Sequence, residues 1–465
     1  MNLGLAQAFT VKKYSESWKS KMGYSYSVYR SDPAKTTAAG FGKVAHLPCI
    51  FDSRPGYHRL ASRYLIDRGL GTWDPVTRAR SKRKPPGEQS MLNYAHWLAN
   101  FLEWAEIRQV DLLRCEYVLH VHGRYQSEML LGTWSRDGEP LSAQTINLRV
   151  QQACDYLTWL GDKGYRSSFD IPIVERTIKI GSATSSTAHE GRQVSARKGK
   201  VRRNKKRLRM PTDEQLRAWL DRVYAQYGKT QGLRCETVLL SAMRREEVAC
   251  LRVDTLPEDP RSWHINNLDA PYKEQRVLID IKFGTKGESY GKNHGDKIGP
   301  ERSIWIPLEL AERLHSYRLN ERVKALRIHI SKAKSLVDKR KRIAECVHLF
   351  LHEETGKRLT ARSLYDAWTG VELPFAGWSP HLGRDWWACS VLLRELKRHE
   401  RISSLMPDVS AALLESSAMS IIRLQIQPQL GHAHESTSMI YLGWVGDMFG
   451  TSLAIQYEES LDEDE

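Results

Sequence analysis

The feature that most constrains this chain is a basic block at residues 192–209, in which ten of eighteen residues are lysine or arginine and none is acidic. Like charges at this density repel one another, so the block is expected to stay extended and solvated. The sequence therefore predicts two folded parts joined by a basic linker, residues 187–209.

The charge of the whole chain indicates an anionic partner. Its 465 residues carry a formal net charge of +15, with an isoelectric point of about 9.4. A strongly basic protein of this kind most often binds nucleic acid. Cations on a linker can follow a phosphate backbone, and nine of them are candidate DNA contacts: Arg197, Lys198, Lys200, Arg202, Arg203, Lys205, Lys206, Arg207 and Arg209.

Other bulk properties exclude several classes of protein. No run of 18 apolar residues occurs, so no transmembrane helix and no membrane partner are expected. The first residues do not have the pattern of a secretion signal. The seven cysteines are scattered and never form C-x-x-C, which argues against a disulfide framework and a zinc ribbon. A cytoplasmic protein without a bound metal or cofactor fits these observations.

The part before the linker divides into a poorly patterned N-terminal extension, residues 1–87, and a helical domain, residues 88–186. The extension ends in a basic cluster followed by Pro85 and Pro86. In the helical domain, Ser90 and Ser142 are predicted to cap two helices. The second helix carries its predicted buried stripe at Ile146, Val150, Ala153, Leu157 and Leu160.

The part after the linker, residues 210–445, is predicted to be mostly helical. Thr212, followed by two acidic residues, is expected to cap its first helix. One section, RVLIDIKFGTKG followed by ERSIWIPL, alternates like a β-hairpin. Residues 446–465 form a C-terminal segment with an acidic tail. The predicted fold class is mainly α with a small β-hairpin, in two domains.

Several short pieces of the second part carry candidate reactive groups, and each also has an ordinary structural explanation. Arg244 and Glu247 are three residues apart, which usually means a surface ion pair on one helix face. Lys286 lies in a predicted Gly-Thr-Lys-Gly turn, where a lysine often only adds solubility. His381 and Arg384 could equally be polar groups at the start of a helix. Tyr441, nine residues after His432, is by itself more often a core aromatic.

Taken together, these residue types suit one reaction. A phosphodiester attacked by an oxygen gains charge on its non-bridging oxygens, and two fixed arginines match that charge. Histidines complete the hydrogen bonding, and a lysine can protonate the departing 5′ oxygen. A tyrosine nucleophile forms a covalent ester that conserves the bond energy, so neither ATP nor a metal ion is needed.

The order of the pieces resembles the catalytic domain of the tyrosine recombinase (phage integrase) family. MRREEVACLR is similar to the G-[LM]-R-x-x-E-[LV]-x-x-L-R box, HLGR to H-x-[LG]-R, and LGHAHESTSMIY to L-G-H-x(8)-Y. The resemblance covers residues 210–445, and the helical domain at 88–186 is similar to the core-binding domain of the family. It implies a clamp around duplex DNA.

The resemblance also implies a role for each residue. Tyr441 would be the nucleophile that forms a 3′-phosphotyrosine, and Arg244 and Arg384 would bind the scissile phosphate. Lys286 would be the general acid, with Lys282 and Lys292 as alternatives. The residues implied to hydrogen-bond the phosphate or to support its ligands are His381, His432 and Glu247.

Three features depart from the family pattern. Ala242 stands where glycine is usual, Asp385 follows the second arginine where histidine is common, and the stretch after Lys286 is long. His434 has no implied role.

By resemblance, the protein would work as a homotetramer on two DNA sites, associated with the nucleoid. Its role would be integration or transposition of a mobile element. A catalytically silent DNA-binding relative, a topoisomerase-like enzyme and a basic nucleic-acid-binding protein without catalytic activity remain as alternatives. The apolar residues after Tyr441, which include Val445 and Met448, would pack either on a neighbouring protomer or on their own chain.

Overall fold

The computed structural model describes residues 26–54, 56–81, 84–178, 192–202, 207–289, 294–399, 416–432 and 438–448. Side chains are described in these ranges except at 176–178, 192–194, 286–289 and 398–399. The described chain is mostly helical with three small antiparallel sheets, which confirms the predicted fold class. It forms two compact units, residues 1–205 and 206–465. Across the described residues, none of the helices combines the length and apolarity needed to cross a membrane.

Unit 1, residues 1–205, is built around a helical core. Its helices are α1 (Pro33–Ala38), α2 (Arg59–Gly69), α3 (Glu88–Ile107), α4 (Ser127–Leu130) and α5 (Ala143–Asp162), with π-helical turns at Tyr117–Gln126 before α4. Its strands form two antiparallel pairs, β1 (Ser27–Arg30) with β2 (Pro48–Phe51) and β3 (Ile173–Ile178) with β4 (Arg192–Arg197).

The two long helices of unit 1 follow the predicted pattern, with one difference at a cap. The Ser142 hydroxyl accepts a hydrogen bond from the Thr145 amide at 3.2 Å, so the predicted cap of α5 is confirmed, and its predicted stripe is buried. The predicted Ser90 cap is wrong, because α3 already begins at Glu88. Glu88 lies in the first turn, where a carboxylate is favoured by the helix dipole.

The predicted boundary at residue 87 does not separate two cores. Ile50, Tyr64, Leu65 and Trp73 from the supposed extension are buried in the same cluster as α3 and α5. The Tyr64 ring lies 5.8 Å from that of Trp159, between ring centroids. No regular hydrophobic period is visible in this part of the sequence, because it contributes one strand pair and short helices, whose core residues have no common spacing.

The first third of the basic block is also not a solvated linker. Residues 192–197 form β4, and the Arg197 guanidinium donates to the Tyr117 hydroxyl at 2.6 Å and to the Gln126 side-chain oxygen at 3.1 Å. Asn147 exchanges two hydrogen bonds with the backbone of Val201, at 2.9 and 3.0 Å. Unit 1 therefore supplies polar partners that a reading of charge alone could not foresee. We call residues 197–202 the anchored segment.

Unit 2, residues 206–465, contains a long helix, a three-stranded sheet and a set of shorter helices. The sheet has the order β5 (Ile265–Asn266), β6 (Arg276–Ser289) and β7 (Lys297–Pro307). Two helices precede the sheet, α6 (Asp213–Ser241) and α7 (Arg245–Ala249). After the sheet come α8 (Leu308–Leu319), α9 (Glu321–Ser331), α10 (Leu336–Glu345), α11 (Ala361–Thr369) and α12 (Pro380–His399). After α12 come π-helical turns at Ile422–Ile426, then α13 (Gln427–Leu430) and a helix over 439–448, which we call α14.

The start of α6 is fixed by the predicted cap. Thr212 and Gln215 form a capping box, with hydrogen bonds of 3.1 and 3.2 Å between each side chain and the other residue's backbone amide. The helix is interrupted at Gly228, whose φ of 76° and ψ of 178° are not helical. Glycine tolerates this conformation because it lacks a Cβ.

The predicted β-hairpin is confirmed as β6 and β7, with a difference around Lys286. Val277 pairs with Ile306, and Ile279 with Ile304, so alternate residues enter the core. Phe283 and Glu288 both pair with Ile298, so residues 284–287 form an insertion within β6. Lys286 therefore belongs to the strand by its backbone and not to a turn between strands.

The C-terminal helices of unit 2 pack on α12 in the same chain. Their buried cluster includes Leu392, Ile422, Tyr441 and Val445. The predicted boundary at residue 445 falls inside α14, because the helix continues to residue 448. Val445 thus has its contacts within its own chain, whereas Met448 is exposed. The residues after 448, with the predicted acidic tail, lie outside the described ranges.

Candidate active site around Arg244, Arg384 and Tyr441

The two candidate arginines meet at one backbone oxygen. Arg384 lies in the first turns of α12, and Arg244 is the residue before α7. The Nη2 atoms of both donate to the Leu430 carbonyl, Arg384 at 2.8 Å and Arg244 at 3.1 Å. Arg244 Nη2 also donates to the Gly431 carbonyl at 3.3 Å. Arg244 and Arg384 are about 140 positions apart in the sequence, and Arg244 and Leu430 about 190, yet all three meet at the end of α13.

The turn that offers these carbonyls requires a glycine. Gly431 ends α13 with a φ of 64°, in the left-handed region that ends many helices. An added Cβ there would lie 3.0 Å from Cδ of Arg302. The conformation and the close neighbour both favour glycine, so the L-G-H part of the motif has a local structural cause.

Glu247 holds Arg244 from beneath. Its side chain is fully buried, and it accepts from the Arg244 backbone amide at 2.7 Å and from Arg244 Nη1 at 2.8 Å. The predicted shared helix face is only partly right, since Arg244 caps α7 and contacts Glu247 from the cap position. A carboxylate fixed in this way restricts the guanidinium to a narrow set of orientations.

A third arginine, which sequence reasoning missed, completes this ion cluster. Arg302 on β7 donates to both Glu247 oxygens, at 2.6 and 2.7 Å, and its Nε donates to the Gln429 carbonyl at 3.3 Å. Burial disfavours the charged form of Glu247, but the hydrogen bonds and charges of Arg302 and Arg244 outweigh it and lower the pKa of the carboxyl. Arg302 lies two and four positions before the core residues Ile304 and Ile306, so it is on the buried face of its strand, and this charged residue in the apolar pattern was a signal in the sequence.

The residue two positions before Arg244 is strained. Ala242 is buried at the C-terminal end of α6 with a φ of 55°. Side chains other than glycine pay about 1–2 kcal/mol in this region. Glycine would adopt this conformation without strain, whereas Ala242 places strain two residues before Arg244.

Arg384 is almost completely enclosed. It is 3% exposed, and its Nη1 atom is buried and makes no hydrogen bond within the described residues. Burial removes water from the guanidinium and Arg244 repels it, and together they lower its pKa to about 10. A buried donor without an acceptor is rare and costly, and an anionic ligand oxygen would satisfy it.

Tyr441 is buried close to Arg384 in its own chain. It is 2% exposed, and its hydroxyl donates to Asp385 Oδ1 at 2.8 Å. Its ring lies nearly parallel to that of His432, with centroids 6.4 Å apart and an interplanar angle of 8°. His432 Nδ1 lies 3.0 Å from the Ser438 hydroxyl. Tyr441 is therefore both a core aromatic and a neighbour of the candidate phosphate ligands.

The remaining predicted site residues are placed with different degrees of detail. His381 is exposed in the first turn of α12, and no contact joins it to Arg244, Arg384 or Tyr441 in the described part of the chain. Lys282 is exposed and lies 3.6 Å from Glu301. The Lys286 side chain and all of Lys292 lie outside the description, as does His434, so the choice of general acid stays a prediction.

The nine predicted DNA contacts of the basic block differ in how exposed their side chains are. Lys198, Lys200 and Arg202 are exposed on the anchored segment, whereas Arg197 is half-buried in the hydrogen bonds described above. In unit 2, Arg207 and Arg209 are exposed, with Arg209 stacked over Phe375 at 4.7 Å. Arg203, Lys205 and Lys206 lie outside the described ranges.

A second ion cluster, also missed from the sequence, lies at the start of β7. Asp296 is 1% exposed and accepts from Arg252 Nη2 at 3.1 Å, Arg358 Nη2 at 2.6 Å and His348 Nε2 at 3.0 Å. Burial opposes ionisation, but these partners lower the pKa of Asp296 to about 2. The Cys250 thiol also donates to it, at 3.4 Å. A lone histidine within the apolar run CVHLFL was the available signal.

None of the described residues forms a group that could hold a metal ion. No three or more His, Cys, Asp or Glu side chains among them are arranged as ligands. Asp296 and His348 are potential metal ligands that lie together, but the oxygens of Asp296 accept from two guanidiniums and an imidazole instead.

Comparison with known proteins finds similar folds only. No family model and no curated protein matches the sequence. Among solved structures, the chain is similar to a fragment of the Tn1549 transposon integrase in complex with circular intermediate DNA, at 12% identity over 82% of this chain and 94% of that chain, with a TM-score of 0.45. It is also similar to the XerH site-specific recombinase bound to its difH substrate, at 17% identity over 77% of each chain and a TM-score of 0.40, and to the XerA recombinase, at 12% identity over 85% and 98% and a TM-score of 0.29.

Proposed function

We propose that this protein is a site-specific tyrosine recombinase that cuts and rejoins double-stranded DNA through a 3′-phosphotyrosine at Tyr441. The observation that carries the proposal is the meeting of Arg244 and Arg384 at the Leu430 carbonyl, with the buried Tyr441 hydroxyl bonded to Asp385, the residue after Arg384. The Leu430 carbonyl fixes the two guanidiniums next to each other, and the buried Nη1 of Arg384 remains as a donor that an oxygen of a phosphodiester would satisfy.

Each residue has a proposed part in the reaction. Arg244 and Arg384 bind the non-bridging oxygens of the scissile phosphate, and the unsatisfied Nη1 of Arg384 gains an acceptor there. Glu247 and Arg302 hold Arg244 in place. The residues proposed to hydrogen-bond the phosphate or to move protons are His381, His432 and Lys286. Fixed donors of this kind are each worth on the order of 10²- to 10³-fold in rate.

The proposal extends to partner and setting. The net charge of +15 and the exposed cations of the anchored segment support DNA as the partner. The reaction proceeds without ATP because the phosphotyrosine conserves the bond energy, and without a metal ion because the arginines stabilise the charge of the phosphate. By resemblance to the family, the protein assembles as a homotetramer on two sites, in the cytoplasm at the nucleoid. It integrates or transposes a mobile element.

The test is capture of the covalent intermediate. A library of duplexes with random sequence, each nicked in one strand, lets the short cleaved piece diffuse away and traps the adduct. The wild-type protein should give an adduct that survives denaturation in EDTA without ATP, with the DNA attached at Tyr441 by mass spectrometry. Tyr441→Phe should bind DNA but give no adduct, whereas Tyr365→Phe, a half-buried tyrosine on α11, should behave as wild type.

The outcomes separate the alternative functions. An adduct in Tyr441→Phe would remove Tyr441 as the nucleophile, and no wild-type adduct despite DNA binding would favour a silent DNA-binding relative. Adducts without sequence preference, together with relaxation of supercoiled plasmid, would favour a topoisomerase-like enzyme. Enrichment of one sequence among the adducts supports a site-specific recombinase and gives its target.

A further inference from the structure

Resting on the proposed function, we propose that Asp385 is a catalytic residue that orients the Tyr441 hydroxyl and receives its proton as Tyr441 attacks the phosphodiester. The Tyr441 hydroxyl donates to Asp385 Oδ1 at 2.8 Å, and the two residues are 2% and 8% exposed. Asp385 directly follows Arg384, so the same turn of α12 that holds a phosphate ligand also holds the nucleophile. Asp385, one of the departures from the family pattern, thus contacts the reacting oxygen.

The hydroxyl is held in this position from several sides. The Tyr441 backbone amide donates to the Ser438 carbonyl at 3.1 Å, which fixes the start of α14. The His432 ring lies parallel to the tyrosine ring, and its Nδ1 is engaged with the Ser438 hydroxyl. His432 therefore packs on the ring face, while the acceptor found for the hydroxyl proton is the Asp385 carboxylate.

The surrounding charges keep Tyr441 protonated at rest. Burial raises the pKa of Tyr441, and the charge and hydrogen bond of Asp385 raise it further, as does the Cys389 thiol. Arg384, which is on α12 with Asp385 and Cys389, lowers it. Two groups outside α12 also matter: the His432 ring faces the tyrosine ring, and the charge of Arg244 lowers the pKa of Arg384. A phenol in this state needs a base at the moment of attack, because it does not ionise at neutral pH.

The step balances with groups already named. The bond between Tyr441 Oη and phosphorus forms, and the bond from phosphorus to the 5′ oxygen breaks. The tyrosine proton passes to the Asp385 carboxylate, and the 5′ oxygen takes a proton from the general acid, for which Lys286 is proposed. In religation each proton returns. Protein kinases use an aspartate in the same way, to accept the proton of a hydroxyl that attacks phosphorus.

The experiment compares single-turnover cleavage of a nicked duplex selected in the adduct screen. Asp385→Asn keeps the size of the side chain but cannot take a proton. We expect it to bind DNA as wild type does and to cleave about 10²- to 10⁴-fold more slowly at pH 7. Its rate should rise with pH towards alkaline values, because hydroxide must then remove the proton, while the wild-type rate stays flatter.

Two further variants guard against a merely structural effect. Asp385→Glu keeps a carboxylate and should retain at least about tenfold more activity than Asp385→Asn, since it can still accept a proton. Asp366→Asn removes a carboxylate from the exposed surface of α11, where Asp366 pairs with Arg362, and should change neither rate nor pH profile. Equal losses in Asp385→Asn and Asp385→Glu would overturn the proposal.

A duplex with sulfur in place of the scissile 5′ oxygen separates proton acceptance from proton donation. A thiolate leaves without being protonated, so this substrate should rescue a Lys286→Ala variant but not Asp385→Asn. Rescue of Asp385→Asn would overturn the proposal by placing Asp385 at the leaving group.

Cleavage by Asp385→Asn at or above the wild-type rate would also overturn it, because the carboxylate would then only restrain the tyrosine. Absence of a wild-type adduct fails earlier, at the proposed function itself.

Discussion

Replacing Arg302 by methionine removes one cation from the buried carboxylate of Glu247. The Arg302 side chain is 13% exposed and that of Glu247 0%, and two hydrogen bonds of 2.6 and 2.7 Å join them. Loss of one partner from a buried ion pair costs about 3–5 kcal/mol. Because Arg244 still donates to the carboxylate, we expect the lower end, about 3 kcal/mol of local stability, which is roughly 10²-fold in the opening equilibrium.

Hydrogen–deuterium exchange of the full-length protein measures this loss where it occurs. Amides in α7 and β7 exchange through local opening, so peptides from these elements should exchange roughly 10²-fold faster in Arg302→Met. The difference should shrink as the pH falls through the acid range. The pKa of Glu247 is lower in the folded protein than in the unfolded chain. The ionised carboxylate therefore stabilises the wild type at a pH above the unfolded pKa, and this contribution is lost when the carboxylate becomes protonated in acid.

The matched control is Arg362→Met on α11. Arg362 also pairs with a carboxylate, Asp366 at 2.8 Å, but its side chain is 76% exposed. Such a pair is worth no more than about 0.5 kcal/mol, so exchange should change by less than about threefold. If Arg302→Met exchanged no faster than this control, the reasoning that a buried cation fixes Glu247 would be refuted.

Three other outcomes follow from the structure. Asp296→Asn should lower stability at pH 7 by on the order of 2 kcal/mol, and acid titration of tryptophan fluorescence should lose the wild-type transition between about pH 4 and 2. Neutralising the three exposed cations of the anchored segment should lower the slope of log K against log salt by about 0.9 per cation, with an unchanged slope counting against DNA contact. Gly284→Ala should lower the melting temperature more than Gly295→Ala. Both glycines have a φ of 77°, but only at Gly284 would a Cβ lie 2.5 Å from a backbone oxygen.

Features that depend on neighbouring residues could be predicted from the sequence. The caps at Ser142 and Thr212 and the alternation of the β-hairpin follow from spacing of a few residues, and the structure confirms them. The Arg244 and Glu247 contact was foreseen for the same reason, although its cap geometry was not. Short-range rules were sufficient at these positions, where both partners lie within one turn or one strand pair, but not at Ser90, where the helix begins two residues earlier.

Features that depend on distant partners could not be predicted. Arg302 meets Glu247 across 55 positions, and Asp385 meets Tyr441 across 56. Nothing near either residue in the sequence identifies its partner. Arg197 is the opposite case, since its local surroundings suggested a solvated charge, and only the fold brings Gln126 and the Tyr117 hydroxyl to it.

The Leu430 carbonyl makes the arrangement of the two arginines independent of the side chain at that position. Both guanidiniums bind a peptide oxygen, and every amino acid supplies that atom. Substitution of Leu430 by another apolar residue can change core packing without removing the shared acceptor. The position should therefore drift in sequence while the arginines stay in register, and an ester in place of the peptide bond, which weakens the carbonyl as an acceptor, would loosen them with the side chain unchanged.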